Sequence, residues 1–479
     1  MPRERRKILV MMCFALATVV SAVSSLNVAL PDVARDTGAG PTELQWIVDS
    51  YALVFAGLLV GAGAVGDRLG RRRVLLAGLG VFGVGAAVAT QIDSPSALIA
   101  VRAFMGLGAA MIMPSTLSII TSTFPAGERD RAVGAWAGVA GGSALLGLVV
   151  SGALLEIASW PAVFGLSVVL ASVAFVGTLR VVPAHQDHGA AAALDPVGAV
   201  LSALALASLV WAFIEGPQRG WGDALVAGGF VAAAVLGAGF VVWELRHRAP
   251  MLDPRLFLLR GFGAGSLSVF VQFFAQFGLI FVLLQFLQLV LGYTPLQAGA
   301  ALAPMAIVMM AVAPRVPRLV ARVGVRRVGP VGLTLMAVGL FVMSTMDAGS
   351  SYYHLLAGGL ILALGMALAT APATAAIVDS LPEEKQGVAS AVNDTAREVG
   401  GALGIAVLGS VLANHVGHIG PGMDPAAFVD GFSAALLVGA AVLVAGAVAV
   451  AVRAPGRQAG QRSRASSTAS VALSPGAGK

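Results

Sequence analysis

Long apolar runs separated by short polar breaks occupy most of the chain. They fall at residues 8–30, 44–66, 74–92, 96–123, 132–154, 161–180, 196–214, 223–243, 262–290, 296–314, 328–346, 354–380, 387–413 and 428–452. A helix needs about 20 predominantly apolar residues to cross hydrocarbon, so the pattern predicts fourteen membrane spans and an all-α fold. The first run follows Arg3, Arg5, Arg6 and Lys7, the profile of a signal peptide, but its length and the many similar runs after it assign it as a span. Polar breaks then divide the chain: six runs in 1–180, a linker with two additional runs in 181–260, six runs in 261–452, and a Ser, Ala, Gly and Arg rich tail in 453–479 that is expected to be disordered.

Composition agrees with that division. With 58% apolar residues, 11% charged ones and a mean hydropathy of +0.88, the chain lies outside the range of soluble domains. The pI near 10.1 does not signal nucleic acid, because the basic residues are dispersed in short clusters between runs. They report topology instead. Placing the N-terminus in the cytoplasm leaves, of 30 Lys and Arg residues, only Arg35 and Arg219 in outer loops and Arg102 and Arg397 within spans. Both termini are therefore expected on the cytoplasmic side. A single cysteine, Cys13, rules out a disulfide within the chain, and no G-x-x-x-x-G-K-[ST] phosphate loop is present to support ATP drive. No cofactor and no metal are expected.

An internal repeat is visible in Gly63-Ala64-Val65-Gly66-Asp67-Arg68-Leu69-Gly70-Arg71-Arg72-Arg73 and Pro317-Arg318-Leu319-Val320-Ala321-Arg322-Val323-Gly324-Val325-Arg326-Arg327. Both copies follow an apolar run and carry Arg, Gly and Arg-Arg at the same spacing; the second has Ala321 where the first has Asp67. Repeats of this kind in a polytopic protein point to a transporter whose site lies between halves at mid-membrane.

These residues resemble the major facilitator superfamily, in its branch of drug:proton antiporters with fourteen helices. Gly63 to Arg73 is similar to the loop motif G-x-x-x-D-R-x-G-R-R, and Arg102 to Gly108 to the fourth-helix motif R-x-x-Q-G-x-G. Leu26-Asn27 to Pro31, Gln45-Trp46 to Tyr51, Gly292 to Gly299 and Ala391 to Gly404 resemble further segments of the branch, so the likeness spans nearly the whole chain. It implies two pseudo-symmetric six-helix bundles plus two extra central helices in the inner membrane of a bacterium. The implied protein acts as a monomer and exports small hydrophobic drugs or antibiotics, cationic ones included, in exchange for protons down a proton gradient. Three departures stand out. Ala22 replaces the acid that the branch usually places five residues before Asn27, Met105 replaces the Gln after Arg102, and the fifth-helix antiporter motif keeps Gly147 and Gly152 but has Leu148 for proline and Ser151 for glycine.

Charge inside a span is costly, so each instance is a functional candidate. Asp49 can bind a proton or a cationic substrate, with Trp46 and Tyr51 adding ring attraction, or it is an acid at a wet helix end. Asp394 and Glu398 share one helix face and Arg397 can bridge them. Two close carboxylates in low dielectric do not both ionise easily, which suits a proton carrier, Glu398 being the deeper; the plain structural reading is an ion cluster that locks helices. The resemblance links Arg102 to proton transfer, against a simple role as a buried donor. Asp67, with Gly63, Arg68, Gly70 and Arg71, forms a gating loop in which Asp67 pairs with Arg71 or caps a helix of the other half as a latch. Gly134, Gly138 and Gly142, followed by Gly147 and Gly152, predict a close helix interface. Gln272, Gln276, Phe277 and Gln285 on the ninth run predict an aromatic and amide lined cavity, or a face that packs lipid and core.

A uniporter or symporter of a small metabolite is the alternative within transport. A non-transporting sensor or lipid-handling scaffold is the alternative outside it, disfavoured by the full charge set.

Overall fold

The structure is a computed structural model. It describes residues 3–183, 195–248, 250–381, 386–416 and 423–454, without the side chains of residues 60, 64, 67, 126, 127, 130, 137, 140, 141, 386 and 387. Residues 455–479, nearly all of the tail expected to be disordered, fall outside the described residues, whereas Arg453 is the last residue of a helix.

Each predicted apolar run coincides with a helix: α1 (Arg3–Thr37), α2 (Pro41–Leu69), α3 (Arg71–Ala89), α4 (Pro95–Thr123), α5 (Ala126–Leu155), α6 (Pro161–Val181), α7 (Pro196–Arg219), α8 (Ala224–Arg246), α9 (Arg260–Leu289), α10 (Pro295–Val323), α11 (Val325–Ser344), α12 (Tyr352–Val378), α13 (Gln386–Ala413) and α14 (Pro425–Arg453). Among the described residues, 12 helices are long and apolar enough to cross a membrane. The two others, α2 and α5, have 29 and 30 residues and pack inside the same assembly. The helix α10 is interrupted at Leu302 and again at Ala313–Arg315, beside Pro304, Pro314 and Pro317, each of which removes a backbone donor.

Two six-helix bundles follow from the pairings. In the first, α1 packs on α5 and α6, α2 on α4, and α3 on α4 and α6; in the second, α9 packs on α13 and α14, α10 on α12, and α11 on α12 and α14. The repeat read in the sequence is thus a repeat of contacts. It extends to backbone detail: Gly70 and Gly324 turn the chain at φ 94° and 95°, a region open to glycine but strained for other residues. Two residues after each turn an arginine reaches the end of another helix. Arg72 donates to the Leu179 carbonyl of α6 at 2.9 Å and Arg326 to the Ala451 carbonyl of α14 at 3.2 Å, satisfying acceptors that a helix C-terminus leaves open. The loop arginines therefore tie helices together.

The equivalent crossings also match. A Cβ on Gly78 would lie 2.9 Å from the Gly108 carbonyl oxygen, and one on Gly332 would lie 2.6 Å from that of Gly365. By contrast, a Cβ on Gly134, Gly138 or Gly142 meets nothing within 4 Å. The close interface expected along that stripe is not found; those positions face open space, and the tight approaches of α5 are at Gly147 and Gly152. Gly78→Val and Gly332→Val should each lower stability by about 1–3 kcal/mol through overpacking. Gly138→Ala should not destabilise the protein, and thermal unfolding of the purified protein in detergent checks the contrast.

Candidate transport site

The loops at residues 38–40, 91–94, 156–160 and 290–294 define one face of the assembly, called here the far face; Gly70 and Gly324 lie on the near face, with the N-terminus. The bundles meet chiefly along the helix pairs α2 with α13, α5 with α10 and α1 with α9, and α1 also touches α10.

Near the middle of α13 lies the charged cluster. The Arg397 guanidinium sits 3.5 Å from Asp394 Oδ1 and 3.2 Å from Glu398 Oε1. Spacing of three and one residues along the helix brings the acids to either side of the cation, as the sequence predicts. Two contacts come from other helices: Arg397 Nη2 reaches Met113 Sδ of α4 at 3.7 Å, and its guanidinium lies 5.8 Å from the Phe273 ring of α9. One side chain thus touches both bundles at mid-depth. Beside it runs a polar string in which Thr374 donates to Asn393 at 3.1 Å, and Thr370 donates to Gln272 at 2.8 Å.

A second cation lies closer to the far face. Arg102 is fully buried; its Nε donates to the Ile47 carbonyl at 3.1 Å and its guanidinium stacks over the Tyr51 ring at 4.3 Å. Its two Nη atoms and the Tyr51 hydroxyl find no hydrogen-bond partner among the described residues. Arg102 and Tyr51 belong to the first bundle, and Arg397 with its two acids to the second. Asp49 is a further buried acid, on α2. It is fully buried, neither carboxylate oxygen has a hydrogen-bond partner among the described residues, and Gln45, one turn away on the same helix, has both amide atoms in the same condition.

Other predicted positions divide by environment. Gln272 is buried and bonds Ser268 and Thr370; Gln285 is buried and donates to its own Phe281 carbonyl at 2.9 Å. Gln276 and Phe277 stay half-buried beside the cluster, Gln276 with a carbonyl oxygen that lacks a partner among the described residues. Trp46 does not face this space: its indole donates to Glu215 of α7 at 3.2 Å. Tyr51 is buried beneath Arg102. In the near-face loop, Arg71 donates to the Ser118 carbonyl at 3.0 Å, and a Cβ on Gly63 would be in ordinary contact with Pro114 at 3.7 Å. The Asp67 side chain lies outside the described set, and Arg68 is exposed at the end of α2.

Closure of the far face rests on two features, and the first bears out the close packing expected at Gly152. A Cβ on Gly152 would lie 2.7 Å from Leu296 Cα, and one on Gly299 would lie 2.8 Å from the Leu148 carbonyl oxygen, so α5 and α10 interlock backbone to backbone. The α2–α13 seam is different, since Gly409 receives the Gln45 amide. Gln45 corresponds to Gly299 by the same offset that relates Gly70 to Gly324, and that offset was the one sequence signal for this pair. Ala22, at the position of the missing acid, is buried in apolar packing, and α5 runs unbroken through Leu148. Gly152→Val should hold the far face apart. A thiol introduced as Gln45→Cys should then react with a membrane-impermeant maleimide at least about tenfold faster than in the parent.

A family model described as Major Facilitator Superfamily matches residues 12–265 and 265–476. The chain is 34% identical over 419 residues to the tetracenomycin C resistance and export protein of Streptomyces glaucescens, covering 86% of this chain and 77% of that one. It is 38% identical over 400 residues to the multidrug efflux pump LfrA of Mycolicibacterium smegmatis, covering 83% and 79%. Among solved structures, the POT family transporter PepTSo superposes with a TM-score of 0.69 at 17% identity, over 96% of this chain and 99% of that one, a likeness of fold. Among the described residues, no group of three or more His, Cys, Asp or Glu side chains could hold a metal.

Proposed function

The chain belongs to the Major Facilitator Superfamily, and on that premise we propose that it exports small hydrophobic drugs or antibiotics, cationic ones included, in exchange for protons. The observation that carries this reading is Arg397. A guanidinium at mid-depth, flanked by Asp394 and Glu398 on its own helix and touching Met113 and Phe273 of two others, is placed to exchange partners when the bundles move. In this reading the near face is cytoplasmic, α2 and α5 are spans that bring the total to fourteen, and the residue groups 1–180 and 261–452 move against each other about α7 and α8. All of the site lies within one chain, which suits a monomer in the bacterial inner membrane.

With the far seams closed and the α5 stripe facing open space, the state described is the one open to the cytoplasm. Substrate enters there, against Phe273 and Phe277, whose rings supply dispersion, and the Gln276 amide oxygen, buried in this state, offers a hydrogen bond once it is uncovered. The substrate's positive charge beside Asp394 and Glu398 favours their ionised forms, so a carboxyl that arrived protonated releases its proton to the cytoplasm as substrate binds. Opening of the far face exposes Asp49 and Gln45 to water, so Asp49 collects an external proton and Arg102 passes its effect through Tyr51 toward Glu398. Coupling runs through α2, α4 and α13, bypassing the α1 position occupied by Ala22. Asp67 remains the proposed near-face latch.

Expression in an efflux-deficient host against a panel of aromatic antibiotics and quaternary ammonium compounds tests the reading. The parent should raise the inhibitory concentration of at least some of them, and Glu398→Gln should lose about tenfold of that gain at equal expression. Full resistance retained by Glu398→Gln would remove that carboxylate from the mechanism. If export proves indifferent to an imposed pH gradient, the chain is a uniporter.

A further inference from the structure

The two seams between the bundles are related by the internal repeat, yet only one of them has another helix packed against it. The helix α7 lies on the α2–α13 side, and no counterpart lies against α5 and α10 among the described residues. Its attachment to α2 is made at two depths. Near the far face Glu215 accepts from the Trp46 indole at 3.2 Å and holds Arg219 at 2.9 Å. Eleven residues further along α2, about 16 Å by helical rise, a Cβ on Gly57 would lie 3.0 Å from the Ala203 Cβ. The attachment to α13 is seen toward the far face: Ser410 donates to the Phe213 carbonyl, and Val210 and Ile214 pack with Ala406 and Leu403.

We infer that α7 travels with α2 as part of the first bundle and serves as a lateral seal on the α2–α13 seam, with Glu215 as the positioning residue that holds it there. The inference rests on the transport reading above only for its purpose; the movement itself is measured separately. Geometry sets the direction. A helix fixed to α2 at two depths follows the tilt of α2, whereas its contacts with α13 lie where the far face separates and are lost together. A small apolar cluster and one hydroxyl hydrogen bond are a modest load for that separation. When α13 departs, the same apolar stretch of α7 is left facing the parting seam, so that a hydrophobic substrate meets a wall of helix there in place of lipid. The opposite seam, closed by the close approach of Gly152 to Leu296 and of Gly299 to Leu148, has no such wall among the described residues.

The test uses the full chain in nanodiscs, where the only native cysteine, Cys13, is buried and leaves a clean background for labelling. Spin labels go on exposed positions: Leu204 of α7, Val84 of the first bundle and Leu437 of the second. Distances are compared between pH 5.5 and pH 8, with and without tetraphenylphosphonium as probe. The expected result is an unchanged Leu204–Val84 distance and a Leu204–Leu437 distance that shifts by about 5 Å or more. Glu215→Gln, which keeps an acceptor for Trp46, should preserve the narrow Leu204–Val84 distribution, and Glu215→Leu should broaden it. An invariant Leu204–Leu437 distance, or a Leu204–Val84 distance that shifts alongside it, overturns the inference. Absence of drug efflux by a parent chain that still shows the expected distances would count against the transport reading alone.

Discussion

A charge kept inside a bilayer must be held by other charges or by dipoles, and in this protein that constraint is concentrated on Arg397. Its two carboxylates come from its own helix, so α13 carries a self-contained cluster that can be presented to either side without breaking a helix–helix ion pair. Its remaining contacts, a methionine sulfur on α4 and a phenyl ring on α9, are soft and replaceable. Strong bonds within the helix and weak ones across the seam are what a moving interface requires. Arg102 shows the opposite balance, tied to the α2 backbone at Ile47 and stacked on Tyr51 within its own bundle.

The seams between bundles are built on the same economy. One far-face seam is closed by glycines that admit backbone, the other by a glycine that admits the amide of Gln45. Gln45 and Asp49 are buried in the closed state with polar atoms that lack hydrogen-bond partners among the described residues, and each such atom costs about 1–3 kcal/mol. Closure is therefore opposed by desolvation and favoured by packing.

Much of this was legible in the residues. Each apolar run located a long helix among the described residues, and 12 of these helices have the length and hydropathy that a bilayer imposes. The second Gly-Arg-Arg motif located the repeat down to the φ angles of Gly70 and Gly324. The i, i+3, i+4 arrangement of Asp394, Arg397 and Glu398 predicted a bridged pair because the contact is local to one helix. What required the fold was tertiary. Trp46 reads as an aromatic of the site from its neighbour Asp49, but its indole points to α7, and nothing near it in sequence names Glu215. Gly134, Gly138 and Gly142 have the spacing of a helix interface, and only the space around α5 shows that their face is open. The loop arginines that set topology by their number also cap α6 and α14 by position, which the positive charge alone does not reveal.

Proton antiport is the central claim, and the most direct measurement is internal pH in liposomes that contain the purified chain and a trapped fluorescent pH indicator. A compound that the chain is shown to export is added on one side with no initial pH gradient. The account predicts that its movement drives protons in the opposite direction, and that an imposed pH gradient drives the compound uphill. Movement of the compound at an unchanged rate, with no change in internal pH and no response to an imposed gradient, would contradict it.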